Sequence, residues 1–216
     1  PNSYSIDWTG MADQANTAFA FLPGGGTINN ISIPASTPIG TYNGIMTIRN
    51  ANGCTNTKTV TVTVNALPTI TTAATPAQIA NVCYSGSAQT TSMAYTSTTN
   101  NPTSYSIDWT GMADQGNTAF AFLAGGGTIN NIAIPAGAAA GTYNGTMTIR
   151  NANGCTGTKT VTVTIYALPT INTASTPATV AAVCYNTAAQ TTTMAYTSTT
   201  NNPTSYSIDW TGMADQ

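Results

Sequence analysis

The chain repeats itself. Residues 1–101 align with residues 102–202 without a gap, and 80 of the 101 aligned positions are identical. A third copy opens at Pro203 and runs to Gln216. Tyr4, Tyr105 and Tyr206 correspond, as do Trp8, Trp109 and Trp210. Self-similarity at a fixed period constrains a fold more than any local pattern, because each copy must fold as the same unit. A period of 101 residues is far above that of solenoid repeats and fits one β-sandwich domain of about 100 residues.

The start of the repeat need not be the start of the domain. Asn65-Ala66-Leu67-Pro68-Thr69 and Tyr166-Ala167-Leu168-Pro169-Thr170 each follow the longest strand-like run of their copy. Proline cannot continue a central ladder, so each segment reads as a short, stiff joint between domains. On this phase residues 69–168 make one complete domain. Residues 1–68 are then the C-terminal part of a preceding domain, and residues 169–216 the N-terminal part of a following one. The chain reads as a window on a longer array.

Composition favours an all-β fold. Thr is the commonest residue; it is β-branched and polar, suited to the outer face of a sheet and poor in helix. Leu, Ile, Val and Phe total only 33 of 216 residues, but the net charge of −2 is too small for a disordered chain. Ten Tyr, seven Met and three Trp supply further surface to bury. Period-2 alternation marks strands over Gln89–Thr96, Thr103–Thr110, Thr118–Leu123, Thr128–Ile134, Thr142–Asn151 and Cys155–Tyr166. A short early strand is expected near Gln78–Cys83. Tyr105, Ile107 and Trp109 share one face of their strand and are candidate core residues. Asn153-Gly154 is a hairpin dipeptide, and Gly125-Gly126-Gly127 reads as a flexible loop. About seven short strands per repeat, with no helical period, predict tandem immunoglobulin-like β-sandwiches.

Charge excludes several functions. Charged residues make up 5% of the chain, with six Asp, four Lys and Arg together, no Glu and no His. With no imidazole to act as base or metal ligand, the chain is not expected to be an enzyme or to hold a cofactor. Four cations are too few to neutralise a run of phosphates, so nucleic acid is not an expected partner. No apolar run approaches the ~18 residues of a membrane span, so no insertion is expected. The charges also recur in register: Asp7 with Asp108, Asp13 with Asp114, Arg49 with Arg150, Lys58 with Lys159. Each full copy is neutral, and the −2 comes from Asp209 and Asp215 of the third. Neutral, threonine-coated fibres do not repel one another, so lateral association is expected.

Cys54, Cys83, Cys155 and Cys184 occupy two positions of the repeat. Without His or a C-x-x-C pair they do not suggest zinc. A disulfide is the better reading, and it implies an oxidising, extracellular setting. Cys83–Cys155 lies within the complete domain and is preferred, whereas Cys54–Cys83 and Cys155–Cys184 would each bridge a joint. The preferred pair requires Cys83 to reach the pole where Cys155 opens the last strand, so the first strand must be short and start after Pro76.

Three further features invite chemistry. Asp108-Trp109-Thr110-Gly111-Met112-Ala113-Asp114-Gln115 offers two carboxylates beside a Trp, a weak pattern for calcium or sugar. The simpler reading puts Trp109 in the core and Asp108 in solvent. Lys159, with Asn residues nearby, suggests an intramolecular crosslink, but the chain lacks the Glu such chemistry favours. Thr158, Thr160, Thr162 and Thr164 form one row on the last strand, read as a solvated sheet face.

Val-Cys-Tyr at 82–84, Asn-Pro-Thr-Ser-Tyr-Ser-Ile-Asp-Trp at 101–109, Ala-Gly-Thr-Tyr-Asn-Gly at 140–145 and Asn-Ala-Asn-Gly-Cys-Thr at 151–156 carry a resemblance. The sequence resembles the tandem Ig-like, PKD-like repeats of giant Bacteroidetes surface adhesins, including gliding-motility adhesins of the SprB type exported by the type IX system. The resemblance implies β-sandwich domains strung into a surface fibre, and it favours Cys83–Cys155. It also makes Tyr143 the corner tyrosine of an Ig-type fold. The expected function is a stalk or filament of an extracellular adhesin, whose partners are neighbouring repeats of the same chain and laterally associated fibres. A repeat carbohydrate-binding module, gaining avidity by repetition, is the alternative; the glycan or other surface ligand is not specified by the sequence.

Overall fold

A computed structural model describes residues 1–212; residues 213–216, Asp215 among them, lie outside the described residues. The first portion contains β1 (Ser3–Trp8), β2 (Gln14–Ala18), β3 (Gly40–Arg49) and β4 (Thr55–Val64). The middle portion contains β5 (Thr69–Thr71), β6 (Ala77–Gln78), β7 (Val82–Cys83), β8 (Gln89–Tyr95), β9 (Ser97–Thr99), β10 (Pro102–Trp109) and β11 (Gln115–Ala119). It continues with β12 (Gly127–Ile134), β13 (Gly141–Asn151) and β14 (Thr156–Tyr166). The last portion contains β15 (Thr170–Asn172) and β16 (Ser198–Thr200). No helix occurs among the described residues, and the fold is all-β.

Residues 69–168 form a two-layer sandwich. One layer has the order β11-β10-β13-β14-β6, with β7 also on β14; the other pairs β12 with β8 and β5 with β9. The strands arise where apolar and polar residues alternate, so that each puts one row inward. Tyr105, Ile107 and Trp109 from β10 meet Met147 and Ile149 from β13 and Val161, Val163 and Ile165 from β14, all buried. Met93, Ile129, Ile132 and Ile134 close the core from the other layer. Tyr143 packs on the edge of this core, and its hydroxyl donates to the carbonyl of Ala139 at 2.9 Å. Tyr42 makes the same bond to Pro38 at 2.8 Å.

The sandwich has two distinct poles. Pro68, Asn100 and the β13–β14 turn at 151–155 lie at the proximal pole, where the chain comes in. Cys83, the loop before Gly141 and Tyr166 lie at the distal pole, where it leaves.

This geometry corrects the preferred disulfide. β7 runs parallel to β14 with Cys83 opposite Tyr166, while Cys155 precedes the first residue of β14. The two cysteines are separated by the length of that strand, roughly 35 Å at ~3.3 Å per residue; a disulfide needs Cα atoms within about 7 Å. Cys54, Cys83, Cys155 and Cys184 are all free thiols. The first strand, β5, already forms at Thr69–Thr71, before Pro76; the short edge strands β6 and β7 follow it, and β7 joins β14 in parallel at its far end.

Two other expectations shift. The strand expected at Thr118–Leu123 forms earlier, at Gln115–Ala119, because it hairpins directly back onto β10. Phe120 and Phe122 then turn over Tyr105, their rings 6.3 and 6.4 Å from it and nearly perpendicular. The triple glycine is a packed turn rather than a flexible loop. Gly126 has φ +96°, and a Cβ there would lie 2.6 Å from the carbonyl oxygen of Thr96. Only glycine combines that conformation with that approach.

Candidate functional site

The Asp108–Gln115 stretch, the most site-like in the sequence, is spent on structure. Asp114 accepts the Trp109 backbone N–H at 2.7 Å and closes the turn between β10 and β11; Asp13 does the same for Trp8 at 2.8 Å. Asp108 faces solvent, opposite Thr146 of β13. The two carboxylates therefore do not converge, and among the described residues no three His, Cys, Asp or Glu side chains group as metal ligands. Trp109 is buried over Gly145, where a Cβ would lie 2.7 Å from its ring. The hollows nearest this stretch are shallow: one beside Gln89, Asp114 and Pro135, the other beside Pro76, Asn144 and Thr160.

Gln115 was not singled out by sequence. It is buried between the layers, where its Nε2 donates to Tyr105 Oη at 3.0 Å and to the Asn131 carbonyl at 3.2 Å. Its Oε1 accepts the Ala133 N–H at 3.0 Å, and Tyr105 Oη donates to Asn131 Oδ1 at 2.8 Å. This network ties β10 and β11 to β12. Gln14, Tyr4 and Asn30 repeat it in the first portion. Burial pushes the Tyr105 phenol above the ordinary tyrosine value of 10.0, and the Gln115 hydrogen bond offsets part of that rise.

The Lys159 amine donates to the Thr75 hydroxyl at 2.9 Å. The threonine row of β14 has a neighbour that the sequence alone did not place in register: Thr142, Thr146 and Thr148 of β13 stand opposite Thr164, Thr160 and Thr158. The Thr142 and Thr164 hydroxyls are 3.1 Å apart.

The most specific arrangement outside the core is the joint. Asn100 has φ +55°, the left-handed region that Asn tolerates better than most residues, and its Nδ2 donates to the Leu67 carbonyl at 2.7 Å. Asn151 Nδ2 reaches the Ala66 carbonyl at 3.4 Å, and Asn153 Nδ2 the Asn65 Oδ1 at 3.3 Å. A Cβ at Gly157 would collide with the Pro68 carbonyl oxygen. The next joint repeats the leading bond, with Asn201 Nδ2 donating to the Leu168 carbonyl at 2.7 Å. The sequence signal for this was the Asn-Asn-Pro run at 100–102 and 201–203, which recurs one period apart in register with Leu-Pro.

No family model and no curated protein matches the chain. Among solved structures it is similar to the Bacteroides ovatus mixed-linkage glucan utilization locus protein SGBP-B in complex with a mixed-linkage heptasaccharide. The identity is 14%, the TM-score 0.23, and the match covers 81% of this chain and 42% of that one. A likeness this loose carries no argument about ligand or function. No helix among the described residues is long and apolar enough to cross a membrane.

Proposed function

We propose that this chain is a structural repeat module, a length of stalk or filament in a large extracellular bacterial surface adhesin. The observation that carries this reading is the joint. Asn100 and Asn201 hold equivalent backbone carbonyls of the two Leu-Pro segments at the same 2.7 Å, so a joint is bound to the domain that follows it. A linker built this way transmits orientation from one domain to the next. The immunoglobulin-like assignment is supported by the Tyr143–Ala139 corner bond and by the layer order, both familiar from that class of sandwich. Contour length then grows with copy number, by roughly 35–40 Å per domain at ~3.3 Å per strand residue.

Electron microscopy of the native material tests the proposal. A beaded thread of regular spacing supports it; separate globules would refute it. The carbohydrate-binding alternative predicts glycan-array signal that rises with copy number.

A further inference from the structure

The repeat puts one cysteine at either pole of a domain. Cys83 of β7 stands at the distal pole beside Tyr166, the last residue of β14, and Cys155 stands at the proximal pole in the turn before β14. Cys184 and Cys54 occupy the same two positions of the repeat. The length of β14, roughly 35 Å, separates the two poles of one domain. The distal pole of one domain, however, adjoins the proximal pole of the next, and the joint fixes how they adjoin.

Alternation settles which face Cys83 presents. Val82 packs on the core opposite Ile165, so Cys83 and its register partner Tyr166 both point outward, one strand spacing apart, ~4.8 Å. Asn65 is the equivalent of Tyr166 in the preceding copy, directly follows the last residue of β4 and is likewise exposed. Its Oδ1 accepts from Asn153 Nδ2 at 3.3 Å. Asn153 and Cys155 belong to one tight turn, because Asn151 Oδ1 accepts the backbone N–H of both, at 3.1 and 3.0 Å. The outward side chain that flanks the distal cysteine position therefore touches the turn that carries the proximal cysteine. Asn151 and Asn100, on the Ala66 and Leu67 carbonyls at 3.4 and 2.7 Å, hold that turn in place.

We propose that each distal cysteine forms a disulfide across the joint with the proximal cysteine of the following domain. The inference rests on reading the chain as a length of repeat array. Cys83 pairs with the counterpart of Cys155 one period on, and Cys155 with the counterpart of Cys83 one period back. No two of Cys54, Cys83, Cys155 and Cys184 face each other across one joint, in keeping with four free thiols. The bond forms by exchange. The two thiols give up two protons and two electrons to a small-molecule disulfide, whose own S–S bond breaks to leave two thiols. Each joint is then crossed twice, by the backbone and by the disulfide, so a backbone nick between Asn65 and Thr69 leaves the neighbouring domains attached.

The test uses the whole chain lengthened by one period, with residues 102–202 repeated once more in succession, in a buffer of reduced and oxidised glutathione. This chain has six cysteines, of which only Cys83 and the second copy of Cys155 face each other across a joint. After denaturation four of the six thiols are expected to react with an alkylating reagent. Peptide mapping without reduction is expected to join the Cys83 peptide to that of Cys155. Cys155→Ser in the first copy should leave this link intact, and the same change in the second copy should abolish it. The proposal is overturned if all six thiols react, if Cys83 links to any other cysteine, or if the link follows the first copy of Cys155. A native thread that is beaded in electron micrographs yet has every thiol free overturns the link alone and leaves the stalk reading in place.

Discussion

Cys83 stands beside Tyr166 in parallel register, at the opposite end of β14 from Cys155. Both thiols should therefore titrate with a thiol reagent in the folded chain, along with Cys54 and Cys184. Cys83→Ser is expected to leave the denaturation midpoint nearly unchanged, and reduction should not alter intact mass. A structural disulfide closing so long a loop would instead contribute roughly 4 kcal/mol, which denaturant titration would register at once.

The Gln115 network makes a second expectation. Gln115→Leu leaves the part-buried Ala133 N–H without its acceptor and takes one donor from the Tyr105 hydroxyl, which keeps its bond to Asn131. Chemical denaturation should show a loss of about 2 kcal/mol.

The same tyrosine predicts an alkaline limit. Its phenol is raised by burial, so the folded chain holds the neutral form more strongly than the unfolded chain does. The associated stability is complete below the ordinary value of 10.0 and is lost as pH rises through the higher folded value. Tyr105→Phe should flatten that alkaline decline in a pH series of thermal melts, whatever it does to stability near neutrality.

Gly145 is a core position where a single methyl should do harm. A Cβ there would lie 2.7 Å from Trp109 Cε3 and 2.9 Å from the Asp108 carbonyl oxygen. The backbone contact cannot rotate away. Gly145→Ala is expected to cost about 2 kcal/mol, read from the denaturation midpoint.

At the joint, Gly157→Asn introduces the residue that the preceding copy carries at Asn56. It should push Pro68 off the proximal pole and raise the rate of proteolysis between residues 65 and 69. Asn100→Ala should act in the same direction, with a loss of about 1 kcal/mol from the missing hydrogen bond.

Much of the fold was legible because alternation is a local property. Tyr105, Ile107 and Trp109 had only to obey period 2 to be placed on one face, and β8, β12, β13 and β14 fall within two residues of their expected bounds. What the sequence withheld was register between distant segments. Nothing in Val82-Cys83 says which end of β14 it joins, and the disulfide expectation failed on that point alone. The same blindness hid Gln115, whose partners Tyr105 and Asn131 lie ten and sixteen residues away on two other strands. The joint lay between these cases. The Leu-Pro segment announced a joint, but not that Asn100 would hold the carbonyl of Leu67.

The parallel pairing of β6 and β7 with β14 has a mechanical consequence. The chain enters the sandwich through β5, which pairs with β9, reaches these edge strands next, and leaves from the end of β14. Tension on the two termini draws the edge strands and β14 past one another along their length, in shear. Their hydrogen bonds are then strained together instead of being peeled open one after another, and a patch of only four register pairs resists as a unit.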